Sequence, residues 1–225
     1  MPSWKIHSKI ANDLYKQLKI NKKYFMIGNL LPDQDKYSIP NIDKSVNRTI
    51  THFISSEDLK VGINLPDYNR MYEKYKDHFN NPVLLGYLVH LLTDFYWNDY
   101  IYNKYFIKNN EEYIGVKINN GNIVNCEFSV ANSMKQSDFR KFNNLLSVRK
   151  NHFRFCLNNN FFREITELKL SKKDIYSVGK YLNLSHLKTK DNTEYKILNE
   201  IELNKLLENS KKFILKYLKD KKIIN

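Results

Sequence analysis

The chain of 225 residues has two cysteines, six glycines, five prolines, and no apolar run approaching the roughly 18–20 residues that cross a bilayer. Cys126 and Cys156 cannot build a disulfide framework, so a reducing compartment is the simplest expectation. Met1-Pro2-Ser3-Trp4-Lys5-Ile6-His7 lacks the apolar core of a signal peptide, and together these absences point to a cytoplasmic protein. No Gly-rich phosphate loop occurs, and no Gly-x-Ser-x-Gly nucleophile elbow. The His-Asp dipeptide on which one class of helical phosphohydrolases is built is also missing; only the reversed Asp77-His78 is found.

Lysine and arginine number 37 against 24 acidic residues, a formal charge of +13. Such a surplus attracts phosphate, nucleic acid or an anionic membrane surface. The abundance of Asn, Ile and Tyr, however, is what an A/T-rich coding sequence produces, and lysine belongs to the same bias. A mean hydropathy of −0.60 with 42% hydrophobic residues describes a soluble globular chain, long enough to bury one core, and residues 1–225 read as a single domain.

The periodicity predicts an all-α, multi-helix bundle around a buried site, with a small β-hairpin-like insertion near 113–124. Ser3 caps a first helix over 4–18, whose inward face carries Ile6, His7, Ile10 and Leu14. A short apolar segment, Tyr24 to Ile27, ends at Gly28. Leu31 precedes Pro32 and is expected to be extended, which puts Asp33 on a loop. A polar loop through Ile39-Pro40-Asn41 leads to Thr51-His52-Phe53, and 67–79 reads as a helix. From 82 to about 106, capped by Asn81, the chain is apolar nearly all round, the mark of a central helix. Helical patterning returns around 138–148, with Asp138 read as a cap. Ser171 with Asp174 caps a helix to about residue 182, and a last helix covers about 194–218.

His90 and Asp94 stand four apart on one face of the apolar central helix. Buried ionisable groups need a partner. The two residues either pair with each other and the backbone or converge on a metal ion. His7, Asp33 and His52 also fall in apolar contexts within the first hundred residues, although Asp35 or Asp43 can fill the place given to Asp33. Cys156 reads as a small core residue. The aromatic face of the central helix reads as core rather than a base-stacking platform, so nucleic acid is not favoured. The C-terminal lysine clusters read as a solvated helix end, with peripheral contact to an anionic membrane as the alternative.

The ordered set Trp4-x-x-His7, Gly28-Asn29-Leu30-Leu31-Pro32-Asp33, Thr51-His52-Phe53 and Gly86-Tyr87-x-x-His90-x-x-x-Asp94 resembles the zinc-dependent phospholipase C family, most closely its short Gram-positive bacterial members. The resemblance covers about the first hundred residues and extends weakly beyond them. It implies a helical bundle enclosing a metal cluster that hydrolyses phosphodiesters. It makes Asp33, His52, His90 and Asp94 ligands of one metal, and His7 a ligand of a second that Asp94 bridges. Trp4 is internal here, whereas the secreted enzymes use an N-terminal tryptophan on a metal. The histidines of a third zinc are missing too: His78, His152 and His186 are followed four residues on by Pro82, Cys156 and Lys190. The expectation is one or two divalent ions, zinc first and iron or manganese equally compatible with His/Asp ligation. Asp33 is either a ligand or the base that orients a water. The substrate expected is a phosphoester small molecule or phospholipid head group. The rival reading is a basic binding protein for nucleic acid or anionic membrane, with His90 and Asp94 a structural pair.

Overall fold

In the computed structural model, residues 2–33, 47–55, 65–110, 112–148, 158–168, 171–184 and 194–224 are described. The fold is mostly helical with one small sheet. The helices among the described residues are α1 (Trp4–Leu18), α2 (Lys22–Leu30), α3 (Arg48–Thr51), α4 (Tyr68–Tyr75), α5 (Pro82–Tyr105), α6 (Phe128–Leu145), α7 (Lys172–Leu184) and α8 (Glu200–Asp220). Three short antiparallel strands, β1 (Phe106–Asn109), β2 (Glu112–Lys117) and β3 (Ile123–Asn125), follow α5 in the order β1-β2-β3, with a bulge between Ile107 and Lys108.

The central helix starts and lies as its sequence dictates. Asn81 accepts a hydrogen bond from the Val83 N–H at 2.9 Å, and Pro82 occupies the first turn, where it has no donor to lose. α5 is buried on nearly every face between α2, α4, α8 and α1. Trp97 and Tyr87 are fully buried, so the aromatic side of this helix is core. Trp4 packs edge-on against Tyr181, with ring centres 4.5 Å apart.

Two glycines set the tightest crossing. A Cβ on Gly28 would stand 2.1 Å from the Val83 carbonyl oxygen; one on Gly86 would stand 2.1 Å from the Phe25 carbonyl oxygen. Each costs about 1 kcal/mol against alanine in a helix interior. In exchange the α2 and α5 backbones touch, which brings the Asn29 carbonyl, at the end of α2, against His90.

Several boundaries differ from the sequence reading. The segment from Tyr24 to Ile27 is the middle of a nine-residue helix, buried on all sides and hence without a periodic signature. Leu31 is not extended: at φ −56°, ψ −37° it continues into a 3-10 turn over Leu31–Asp33, overriding the preference of a residue before proline. The β insertion has three strands and begins at Phe106. α6 begins at Phe128, ten residues before Asp138, so Asp138 does not cap its own helix. Its buried carboxylate instead receives the backbone N–H groups of Lys196, Ile197 and Leu198 at 2.8–2.9 Å, holding residues 196–198 as they lead into α8. α8 therefore starts at Glu200, capped by Asn199, rather than near 194. The loop at Ile39-Pro40-Asn41, the alternatives Asp35 and Asp43, and His152, Cys156 and His186 lie outside the described residues.

Because the obstacle at Gly86 is backbone, Gly86→Ala has no flexible neighbour to displace. Destabilisation of about 3 kcal/mol is expected in urea unfolding, at the upper end of overpacking costs. A loss below about 1 kcal/mol would show that the two helices separate easily.

Candidate metal centre

Three elements meet at one buried point. The 3-10 turn after α2 carries Asp33, the end of α3 carries His52, and α5 carries His90 and Asp94 one turn apart. His52, His90 and Asp94 are fully buried, and Asp33 nearly so. One ligand atom from each of the four lies within 4.8 Å of all the others. The structure thus brings together four of the five residues expected as ligands, in one group able to hold a metal ion.

Hydrogen bonding decides which imidazole atoms are available. His90 Nδ1 lies 2.7 Å from the Asn29 carbonyl oxygen. A carbonyl only accepts, so Nδ1 carries the proton. His52 Nδ1 lies 2.9 Å from the Thr51 hydroxyl oxygen, and that hydroxyl donates to the Pro32 carbonyl at 3.0 Å. With its single proton committed there, Thr51 accepts from His52 Nδ1. In the neutral rings both Nε2 atoms therefore present lone pairs, and these lie only 3.3 Å apart. Outer partners that fix a tautomer in this way accompany histidine ligands in metal sites. The Tyr87 hydroxyl, hydrogen-bonded to the Thr51 carbonyl, anchors α3 to α5.

The oxygens complete the set. Asp94 Oδ2 is 3.2 Å from His52 Nε2 and 3.4 Å from His90 Nε2; Asp33 Oδ1 is 3.5 Å and 3.9 Å from the same two nitrogens. Neither oxygen receives a well-aligned hydrogen bond among the described residues, although Asp33 Oδ1 is ion-paired with Arg48 at 3.0 Å. Four ligands bonded at about 2.0–2.1 Å in tetrahedral array are separated by about 3.4 Å. The spacing, the two carboxylate oxygens and the two lone pairs fit a divalent cation.

His7 joins the cluster by a different route. Its Nε2 lies 3.0 Å from Asp94 Oδ1, the oxygen outside the four-atom group, and its ring stacks on His90 with centres 4.1 Å apart. The contact orients Asp94, while His7 Nδ1 is buried without a hydrogen-bond partner among the described residues.

Arg48 was not anticipated. It opens α3, four residues before His52, and its Nη2 reaches to 3.0 Å from Asp33 Oδ1 and 3.9 Å from Asp94 Oδ2. About half of its side chain is solvent-exposed, so the cluster meets solvent at this edge. The available signal was Asn47, which caps α3 through the Thr49 N–H and puts Arg48 and His52 one turn apart. His78 takes no part in the cluster; it is exposed, 3.5 Å from Glu164.

Charges compensate within the cluster. Burial works against ionisation of Asp94, yet His90, His7 and His52 hold its carboxyl well below the usual carboxylate range. Burial likewise opposes ionisation of Asp33, and Arg48 followed by His90 holds it below its ordinary value. Burial lowers His7, aided by His90, and burial also lowers His52. For His90 burial is outweighed by Asp94 and Asp33, which raise it above the ordinary imidazole value.

Further along the same face of α5, Asn98 donates to the Asp94 carbonyl at 2.9 Å. The fully buried Lys135 of α6 then donates to Asn98 Oδ1 at 2.9 Å and to the Tyr102 hydroxyl at 3.0 Å. Compared with family models, with curated proteins and with solved structures, the chain matches none of them.

Burial, opposed by Asp94 and reinforced by Arg48, pushes Lys135 from 10.5 down to about 7. Between those values the unfolded chain binds the proton and the folded chain does not, so this group makes stability rise with pH. Urea denaturation from pH 7 to 10 should show that rise, and Lys135→Met should flatten it while increasing stability at pH 7. An unchanged slope in Lys135→Met would mean the lysine keeps its proton when buried.

Proposed function

We propose that this chain is a metal-dependent phosphoesterase of the phospholipase C-like kind, hydrolysing a phosphoester through an activated water. The observation that carries the reading is a four-residue His/Asp set able to hold a metal ion, with a half-exposed guanidinium at its edge. Asp33, His52, His90 and Asp94 hold the ion, with zinc the first expectation and iron or manganese compatible with the same donors. A second ion would be held by His7 and Asp94 in place of the hydrogen bond between them, which persists when one ion is bound. When bound, such an ion lowers the pKa of a water toward 7 and polarises a phosphoryl oxygen.

The chain's own residues supply the rest. Arg48 binds a phosphate oxygen through its planar donor fork, which suits phosphate better than a lysine would. Asp33 has one oxygen in the ligand set, and its other oxygen takes the proton of the attacking water. A bond forms from that water to phosphorus while the phosphorus–oxygen bond to the leaving group breaks, and the proton taken by Asp33 passes to the leaving oxygen to give the alcohol. His7 keeps Asp94 in place throughout. No described helix is long and apolar enough to cross a membrane. The substrate class is a small phosphoester or a phospholipid head group, and the excess of basic residues suits either anion.

Reconstitution with zinc, iron(II) or manganese, assayed on bis(p-nitrophenyl) phosphate and p-nitrophenyl phosphorylcholine, tests this directly. Metal-dependent turnover is expected. Arg48→Ala should lower kcat/KM about 100-fold with metal content unchanged, the loss expected for a charged hydrogen bond to substrate. Wild-type protein that binds metal but turns over neither substrate would overturn the hydrolase reading and leave a structural metal centre.

A further inference from the structure

α3 has two working faces. Arg48, Thr51 and His52 point to the cluster; Ile50, Phe53 and Ile54 line a separate cleft of about 370 Å³ on its other side. Clefts of about 300–1,000 Å³ are the size that receives small ligands. The far wall comes from α4 and the 3-10 turn at Thr166–Leu168, through Arg70, Lys74 and Glu167.

The lining divides by chemistry. Ile50 is 53% exposed, a large side chain left open to solvent beside the more deeply set Phe53 and Ile54. Glu167 is spoken for: it pairs with Lys74, and the Tyr75 hydroxyl donates to its other oxygen at 2.5 Å. Lys74 also donates to the Thr166 hydroxyl at 3.0 Å. The Arg70 guanidinium has no acidic partner among the described residues. Its backbone N–H is held by Asp67, which caps α4, while the side chain faces the cleft. Among the described residues the cleft therefore offers an apolar floor, one neutralised ion pair and one positive fork without an acidic partner.

We propose that this cleft binds a small single-chain anionic amphiphile, with its carboxylate or phosphate head on Arg70 and its apolar chain on Ile50, Phe53 and Ile54. This site is separate from the metal centre and stands without the phosphoesterase reading. The two are nevertheless joined by one turn of helix. α3 closes with the Ile54 N–H on the Thr49 carbonyl and the Phe53 N–H on the Ile50 carbonyl, with Phe53 in the left-handed region at φ 55°. The residue that follows His52 is thus one of the three apolar residues that line the cleft.

Calorimetric titration of the full chain, treated with chelator so that the metal centre plays no part, tests the proposal with octyl phosphate and octanoate as probes. Saturable binding at one site is expected, and whichever head binds more tightly identifies the source chemistry. Arg70→Ala and Ile50→Asp, both at exposed positions, should each weaken it at least tenfold while leaving the circular dichroism unchanged. Inorganic phosphate and octanol should each bind at least tenfold more weakly than octyl phosphate. The proposal is overturned if neither amphiphile binds saturably or if both variants bind as wild type does. It is equally overturned if inorganic phosphate binds as tightly as octyl phosphate, or if association is seen only with anionic lipid vesicles.

Discussion

Two carboxylate oxygens and two imidazole nitrogens face one another at a buried point, a set of donors that could hold a metal ion. Each group alone would cost several kcal/mol to bury unpaired. The hydrogen bonds that might have relieved them are committed elsewhere: His90 Nδ1 to Asn29, His52 Nδ1 to Thr51, and Asp94 Oδ1 to His7. Arg48 supplies part of the needed charge from the solvent side. A divalent ion would satisfy all four inner atoms at once.

The scaffold serves this convergence. Asn29 reaches His90 only because Gly28 and Gly86 let two helices touch backbone to backbone. Thr51 reaches His52 and Pro32 together because Tyr87 ties α3 down to α5. α5 continues the polar line beyond the cluster through Asn98, which meets Lys135 of α6. A polar seam through an apolar helix is costly, and it is retained here on the face where the ligands lie.

Much of this was legible in the sequence, for definite physical reasons. α1 follows its apolar period, and α5 is framed by Asn81 and Pro82. His7, Asp33, His52, His90 and Asp94 stood out as ionisable residues in apolar surroundings, and the structure gathers all five, four as one ligand group and His7 against Asp94. What was hidden depends on contacts between residues far apart in the chain. Asp138 looks like a local cap, yet its partners lie 58–60 residues further on. α2 is buried all round and shows no period, and the helical Leu31 before Pro32 is a tertiary override of a local rule. Arg48 was one basic residue among 37 until α3 placed it four residues from His52.

The central claim is that the buried cluster is a cation site. Metal content after equilibrium dialysis against zinc, measured by mass spectrometry on wild type and on Asp94→Ala, bears on it most directly. The account predicts one to two equivalents in wild type, lost in a variant whose folded state is verified by circular dichroism. A wild type that stays metal-free against zinc, iron(II) and manganese would contradict it and leave the cluster a protonated, Arg48-balanced ion network.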